Sequence, residues 1–515
     1  MAFQNILNRL SATSEYAILP TSSNTTPKQD TPHPSCWSRV SLLPKRYTRI
    51  LFALFIALVI YVFAFPTRAK DWTAFPSEAF PTRDGMPPLY KQYREWEAHL
   101  PAHNPSLPYP DGKHAKFILF GNHQIGVGWG NVLQEMIMNA YFAYYVKRSF
   151  VFYNYTWNMD GPDFSEYNGH PIPSRIPLSA IISGPIVGGP MGPNDVDVPR
   201  AISLDYFHQV CPNPYILRGE SVKEGLGGNP PAKQLVAALL EKIDAIDARC
   251  IEIPRGSAQI FDYILFGSKG VLDVWPELSK SPIFTHFGWS PLIHSAYNAN
   301  RHFFELTSPS LSSFYAPVSG HLPKIFSPMN PPSPPYPPLD GLLVVHIRRG
   351  DFDQHCKHFW TYSSEYNGFN SFPELPDHFI PPSRGATPEN EEIYMKHCFP
   401  NVTQIVARVE DVRKRVASGA EGQGLKKIYI MTNGKRDWLA ELKSALEDKG
   451  GWEGIETSRN VWLSWEQKPV AQALDMYVAQ RAEAFIGNGF SSLTSNIVML
   501  RMGVEGVGSS KTFFW

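Results

Sequence analysis

The segment 346–351, which reads HIRRGD, has the residue types expected of a site for a phosphate-bearing ligand. It ends an apolar run that predicts a buried strand, and in open α/β sheets ligands bind at the carboxyl ends of strands. An arginine guanidinium donates two parallel hydrogen bonds to a phosphate and keeps its charge. Alternation along the strand places His346 and Arg348 on one face and Arg349 on the other. The alternative is a structural ion pair between an arginine and Asp351.

Two glycine-rich turns could approach the same ligand. Residues 485–494, FIGNGFSSLT, lead from an apolar strand to a helix start, where N–H groups and serine hydroxyls can bind an anion. Residues 126–131, GVGWGN, permit a close approach to the backbone. Each turn also has an ordinary explanation as a helix cap or a strand-to-helix turn. Asn131 stands where a dinucleotide fingerprint needs glycine, so nicotinamide binding is disfavoured.

The elements that position these segments form two series of alternating strands and helices, separated by the proline-rich stretch 329–338. We interpret this stretch as a linker, because a new series begins directly after it. Apolar runs and helical spacing predict strands at 116–120, 150–153, 342–347, 427–432 and 484–487, and helices at 132–146, 236–246, 403–416, 438–449, 471–482 and 495–502. We therefore predict an α/β fold with two Rossmann-like domains facing a cleft.

The N-terminal region predicts a membrane anchor. Residues 50–67 carry no charged side chain, and eighteen helical residues span about 27 Å, close to a thin bilayer. Arg46 and Arg49 belong to a basic cluster just before this run, which places the N-terminus in the cytosol. The long polar stretch ahead of it argues against a cleaved signal peptide.

The predicted organisation has five parts, which are a cytosolic tail (1–49), a transmembrane anchor (50–67), a stem (68–112), an N-terminal Rossmann-like domain on the acceptor side (113–335) and a C-terminal Rossmann-like domain that binds the donor (336–515). The formal net charge is zero, so no basic excess indicates nucleic-acid binding.

The cysteines and glycosylation sequons agree with a lumenal location. Four cysteines follow the anchor, and we favour the pairs Cys211–Cys250 and Cys356–Cys398 because each lies within one proposed domain. Four buried free thiols are the alternative. The tripeptides that begin at Asn154 and Asn401 are sequons, although such tripeptides are common by chance.

Three motifs, in this order along the chain, resemble those of the protein O-fucosyltransferases and the related α1,6-fucosyltransferases. They are Gly130-Asn131 with Ala140 and Arg148, the H-x-R of 346–348, and the run from Asp475 and Tyr477 through 485–488 to Ser491, Ser492 and Thr494. The resemblance covers roughly residues 115 to 155 and 340 to 505, and the middle of the chain does not match clearly.

The resemblance implies a GT-B fold and an inverting transfer of fucose from GDP-fucose. Arg348 would hold the β-phosphate and His346 would shape its pocket, so these two are the catalytic candidates. The implied donor-binding residues are Gly130, Asn131, Arg348, Asp351, Asp475, Ser491, Ser492 and Thr494. The resemblance implies no cofactor and no metal, although 195–197 and 351–353 read D-x-D, a tripeptide that binds Mn²⁺ or Mg²⁺ in other glycosyltransferases.

Some members of the family place a carboxylate in the first glycine-rich loop as general base, but residues 126–131 contain none. Glu135 and His123 are the nearest candidates, so the base stays open. The expected acceptor is a hydroxyl of a glycoprotein or glycan, in the Golgi or endoplasmic reticulum, with the catalytic part lumenal. The alternatives are a transferase for another nucleotide sugar and a non-catalytic, membrane-anchored glycan-binding protein.

Overall fold

The computed structural model describes residues 85–167, 169–306, 334–417, 424–504 and 508–515. Residues 87–515 belong to one compact unit, and of a second unit, 19–86, only Gly85 and Met86 are described. The predicted anchor at 50–67 lies outside the described residues, as do the tail and much of the predicted linker. Among the described residues, no helix is both long enough and apolar enough for a membrane span.

The first half of the compact unit carries many short elements between its longer helices. They are, in chain order, α1 (Lys91–Ala98), β1 (Phe117–Phe120), α2 (Trp129–Tyr145), β2 (Ser149–Phe152), β3 (Tyr155–Thr156), β4 (Phe164–Tyr167), β5 (His170–Pro173), β6 (Arg175–Ile176), β7 (Ile182–Ser183), β8 (Ile202–Ser203), α3 (Leu204–Val210), β9 (Tyr215–Ile216), α4 (Gly219–Lys223), α5 (Ala232–Asp244), β10 (Cys250–Ile253), α6 (Tyr263–Phe266), α7 (Trp275–Leu278), α8 (Pro282–Thr285), β11 (Gly288–Trp289), α9 (Pro291–Ala299) and α10 (Arg301–Phe304).

The second half is more regular. Its elements are β12 (Leu339–Ile347), α11 (Phe352–Tyr362), α12 (Pro388–Cys398), α13 (Val402–Ala417), β13 (Lys427–Thr432), α14 (Arg436–Glu447), β14 (Gly454–Thr457), α15 (Ala471–Arg481), β15 (Ala482–Gly487), α16 (Ser492–Met502) and β16 (Thr512–Phe514).

Each half is built on a parallel five-stranded sheet. The strand order is β8-β2-β1-β10-β9 in the first sheet and β14-β13-β12-β15-β16 in the second. By chain order the second sheet reads 3-2-1-4-5, the order of a doubly wound nucleotide-binding sheet, whose direction reverses between its first and fourth strands. The reversal falls between β12 and β15, and ligands of such sheets bind at the carboxyl ends of these two strands. The predicted α/β class with parallel sheets is confirmed.

Helices cover both faces of the second sheet, because its central strand is apolar on both sides. Leu343, Val345 and Ile347 pack into one core with α13 and α14. Leu342 and Val344 belong to a core that includes residues of α15 and α16 and continues into the first half. Apolar side chains recur along α13 at helical spacing, so its buried stripe matches the sheet that it covers. The division predicted at residues 335 and 336 stays a prediction, since 87–515 form one unit.

Part of the predicted stem is folded. The stem was predicted to extend to residue 112, but α1 packs within the compact unit and contacts both halves. The Tyr90 hydroxyl donates to the main-chain oxygen of Glu466 at 2.8 Å, and Arg94 donates to the main-chain oxygen of Arg175 at 2.5 Å. Tyr90 and Tyr93, which fall in the predicted stem, are buried in the compact unit.

Both favoured disulfides, Cys211–Cys250 and Cys356–Cys398, are present. The first joins the end of α3 to β10 in the first half. The second joins α11 to α12 in the second half. The segment 354–400 is polar, aromatic and proline-rich, and no helix was predicted in it, whereas α11 and α12 occupy much of it. Its helices carry polar and aromatic residues that obscure a regular apolar stripe in the sequence.

Candidate active site

The end of β12 sends its two arginines to opposite faces of the sheet, as alternation predicts. The guanidinium carbon of Arg348 lies 4.8 Å from the centre of the Phe352 ring. Arg349 lies between two rings on the other face, 4.3 Å from each of Phe399 and Trp438. Arg349 also donates to the main-chain oxygen of Pro400, and burial lowers its pKa to about 10. Arg349 therefore has a structural role, while Arg348 lies on the face of the sheet where the ligand is predicted to bind.

The chain after β12 is held by Asn433, which follows the neighbouring strand β13. The Asn433 side chain accepts from the main-chain nitrogen of Arg349 at 2.7 Å and donates to its oxygen at 2.9 Å. The Thr432 hydroxyl donates to the main-chain oxygen of Ile347 at 2.7 Å. Gly350 then turns with φ of +70°, which allows α11 to begin beyond Asp351. Thr432 and Asn433, at the end of the one neighbouring strand β13, thus fix the backbone on both sides of Arg348.

His346 connects β12 to the second glycine-rich turn. Its Nδ1 lies 2.8 Å from the hydroxyl of Thr494, which also accepts from the main-chain nitrogen of Asn488 at 3.2 Å. Burial, and secondarily the charge of Arg348, lowers the pKa of His346 to about 3. His346 is therefore neutral at physiological pH, and it shapes the site without adding charge to it.

The turn after β15 leads directly into α16. Ser491 is the N-cap residue of this helix, yet its hydroxyl makes no capping hydrogen bond, and Ser492 is half-buried. The first N–H groups of a helix lack acceptors within the helix and favour an anion. Buried Asn488 fixes the turn by donating to the main-chain oxygen of Cys398 at 2.7 Å. The helix start and Arg348 thus follow the two strands that flank the reversal point of the sheet.

The first half reaches this place through the N-terminus of α2. The main-chain oxygen of Gly130 accepts from the Asn496 side chain at 2.7 Å. A Cβ on Gly130 would lie 2.9 Å from the Ser492 hydroxyl, so only glycine permits this approach. Asn131 follows in the first turn of α2 and is half-buried. The structure therefore brings Gly130, Asn131 and the start of α16 together.

Two residues that were predicted to bind the donor substrate, Asp475 and Asp351, contact other side chains of the protein. Asp475 is 2% exposed and accepts from the Tyr429 hydroxyl at 2.6 Å, in the interior of β13 rather than at its carboxyl end. Asp351 precedes α11, and its carboxylate lies 3.9 Å from Nε2 of His355. Contact of either residue with the donor stays a prediction.

The two base candidates are buried side chains next to the first glycine-rich loop. Glu135 accepts from the main-chain nitrogen of Gln124 at 2.7 Å, and burial raises its pKa to about 8. His123 stacks on Tyr153 with centroids 3.5 Å apart, and burial lowers its pKa to about 4. Burial disfavours the ionised form of Glu135, which a general base needs, and its hydrogen bond to Gln124 holds the loop, so the base is not assigned.

The two D-x-D tripeptides have other contacts. Asp195 accepts from the Tyr144 hydroxyl at 2.7 Å, and Asp197 pairs with Lys147. Asp353 accepts from the neighbouring Gln354 side chain at 3.1 Å. No group of three or more His, Cys, Asp or Glu side chains placed to hold a metal ion occurs among the described residues.

Several residues that build the site were not singled out from the sequence. Asn433 directly follows the predicted strand 427–432, and Asn488 lies within the motif run 485–488, but neither was predicted to hold the site. No sequence motif includes Trp515, although its indole nitrogen donates to the main-chain oxygen of His346 at 2.8 Å. An asparagine directly after a buried parallel strand is a signal that could have indicated Asn433, because its amide can hold the neighbouring strand end.

Comparison with known proteins gives the site its context. Residues 324–502 match the family described as GDP-fucose protein O-fucosyltransferase, and this range includes Arg348, Asn433 and the start of α16. Over these residues the chain is similar to the GDP-fucose protein O-fucosyltransferases. The predicted family and enzyme class, a GDP-fucose-dependent fucosyltransferase, are confirmed by this match.

Solved structures of fucosyltransferases are among the similar folds. POFUT1 in complex with GDP-fucose is 16% identical, with a TM-score of 0.44 over 77% of this chain and 98% of that chain. The α-1,6-fucosyltransferase NodZ soaked with GDP-fucose is 11% identical, with a TM-score of 0.34 over 75% of this chain and 92% of that chain. A comparison with curated protein sequences found no match. The likeness to this family therefore rests on the match of residues 324–502 to the family.

Proposed function

We propose that the protein is an inverting glycosyltransferase that transfers fucose from GDP-fucose to a hydroxyl group of a glycoprotein or glycan. The observation that carries this proposal is the position of Arg348. It ends the central strand at the reversal point of a nucleotide-binding sheet, and the start of α16 follows the adjacent strand. A guanidinium and free helix N–H groups together suit a diphosphate leaving group.

In this reaction the bond between C1 of fucose and the β-phosphate oxygen breaks, and its electron pair leaves with GDP. Arg348 and the first N–H groups of α16 stabilise the charge that develops on the diphosphate. The acceptor oxygen forms the new bond to C1 from the opposite side, which inverts that carbon. The proton of the acceptor hydroxyl goes to a general base, which is not assigned to a residue. Asn131, at the start of α2, binds the donor from the first half, which is the acceptor side.

We place the catalytic part in the lumen of the Golgi or endoplasmic reticulum, with 50–67 as a type II anchor. Two disulfides support this location, since such bonds persist in oxidising compartments. The sequon asparagine Asn401 is exposed at the start of α13, where a glycan has room. Protease treatment of intact microsomes, with a glycosidase arm, tests this. Protection together with a glycosidase-sensitive shift that Asn401→Gln reduces is expected, and full digestion without detergent contradicts the lumenal location.

The donor is tested by thermal unfolding of the full chain in detergent with GDP, GDP-fucose and UDP-sugars. We expect stabilisation by GDP and GDP-fucose only. Arg348→Ala should retain the unligated melting temperature and lose both GDP protection and transfer. The matched control is Arg413→Ala, which removes an arginine that lies over Trp452 at 4.5 Å, on the outer side of the second core. Protection by another nucleotide sugar would indicate a different donor, and GDP protection without transfer or donor hydrolysis would indicate a binding protein.

A further inference from the structure

The register between β12 and β15 ends one residue before His346, so His346 lies beyond the pairing with β15 while it still pairs with Met431 of β13 on the other side. The last paired residues are Val345 and Ile486. Beyond them, the main-chain nitrogen of Asn488 donates to the Thr494 hydroxyl rather than to β12. The His346 carbonyl therefore needs a donor from another source, since a buried carbonyl is rarely left unpaired.

Trp515 supplies that donor. Its indole nitrogen lies 2.8 Å from the His346 oxygen, and its main-chain nitrogen donates to the Gly487 oxygen at 3.2 Å. Trp515 follows β16, which pairs with β15 on the side away from β12. Its side chain thus spans the end of β15 and reaches the central strand two residues before Arg348.

The position of Trp515 is itself fixed by the disulfide-linked helix pair. The main-chain oxygen of Trp515 is in contact with Nδ1 of His397 on α12 and accepts from the Tyr366 hydroxyl at 3.4 Å. The next residue, Cys398, bonds to Cys356 on α11 and offers its carbonyl to Asn488. One segment therefore holds Trp515 and the turn before α16 together.

We infer that Trp515 is a positioning residue of the donor site, where its indole N–H fixes the His346 carbonyl and thereby the direction in which Arg348 leaves the strand. The inference rests on the proposed donor site. The competing explanation is that Trp515 only fills the core. Its ring does pack there with Leu343 and Val345. A core role depends on the apolar ring, whereas a positioning role depends on the N–H group.

The test is Trp515→Phe, which keeps an aromatic ring and removes the donor. The control is Trp452→Phe, because the buried indole nitrogen of Trp452 has no hydrogen-bond partner in the described part of the chain. For the full chain in detergent, we expect a roughly fivefold to tenfold higher Kd for GDP in Trp515→Phe only. KM for GDP-fucose should rise similarly, while KM for the acceptor stays unchanged.

A second variant covers the case in which Trp515→Phe folds poorly. His397→Ala removes the contact to the Trp515 oxygen and leaves the indole in place, and it should also weaken GDP binding. If wild type binds GDP, and both variants bind it as tightly as Trp452→Phe does, the inference is overturned and the proposed function stands. If GDP does not protect the wild type, the proposed donor and the inference both fail.

Discussion

Gly130 of the first half lies so close to Leu493 of the second that a methyl group on Gly130 would come 2.8 Å from the main-chain nitrogen of Leu493. The contact joins the N-termini of α2 and α16. Since both helices direct unpaired N–H groups toward their starts, two positive helix ends meet next to the proposed diphosphate position. The close approach therefore makes the electrostatic potential positive at the junction of the two halves, and a positive potential favours an anion there.

Gly130→Ala should separate these helix starts, because the added methyl group meets backbone that cannot rotate away. We expect a lower melting temperature and at least a tenfold loss of GDP affinity, estimated from the cost of overpacking. Gly228→Ala is the control, since a methyl group there has no neighbour within 4 Å. Thermal unfolding with and without GDP measures both effects. Equal behaviour of the two variants would show that the contact is adaptable.

The two disulfides should differ in their effect on donor binding. Replacing Cys356 and Cys398 by serine loosens α12, whose end holds Asn488 through a carbonyl. Replacing Cys211 and Cys250 loosens α3 and β10 in the first half. Both double variants should lose stability by about 2–4 kcal/mol, but only the first should bind GDP more weakly at a temperature where both are folded. Identical GDP affinities would show that the Cys356–Cys398 bond contributes to stability alone.

Asn433→Ala removes both hydrogen bonds that hold the main chain at Arg349. We expect a donor Kd about tenfold higher, because the backbone next to Arg348 gains freedom. Asn460→Ala serves as the control. Asn460 lies beyond β14, is exposed, and accepts a hydrogen bond from the Thr457 hydroxyl. Calorimetric titration with GDP measures the difference. A change in melting temperature without a change in GDP affinity would argue against this role of Asn433.

Glu135→Gln should change how stability depends on pH. In the folded protein the pKa of Glu135 is raised to about 8 from an ordinary value of 4.5, so the folded state keeps a proton that the unfolded state releases. This contribution to stability is complete below 4.5 and is lost as pH rises toward 8. The melting temperature of the variant relative to wild type should therefore increase from about pH 5 to pH 8. Parallel curves would mean that Glu135 titrates normally.

The sequence predicts the central part of the site well because the relevant physics is local. A strand that is apolar on both faces and ends in two arginines must send them to opposite sides, and Arg348 and Arg349 do so. The glycine-rich turn before α16 likewise follows from the composition of 485–494. The helices and strands that were predicted in the second half agree with β12, β13, β15, α13, α14, α15 and α16 because their apolar patterns are long and regular.

The remaining features depend on contacts between residues far apart in the chain. Asp475 belongs to a matching motif, but its burial beneath β13 follows from the packing of α15. The helices within 354–400 are held by a disulfide and by ring contacts of Phe359 and Tyr394 with Phe490, and these contacts leave no regular apolar pattern in the sequence. The contact between Trp515 and His346 joins two sheet positions that no local pattern relates.

The central position of β12 also affects how the protein is made. The ribosome adds roughly 5 to 20 residues each second, and β12 emerges well before β15, which begins only at Ala482. Until then, the edge of the apolar strand β12 that pairs with β15 has no partner. Chaperones commonly bind nascent chains with such unpaired apolar strands. Trp515 and the start of α16 arrive later still. A donor site formed by the end of β12 and the start of α16 can therefore assemble only after Ser492 and the rest of α16 have been translated.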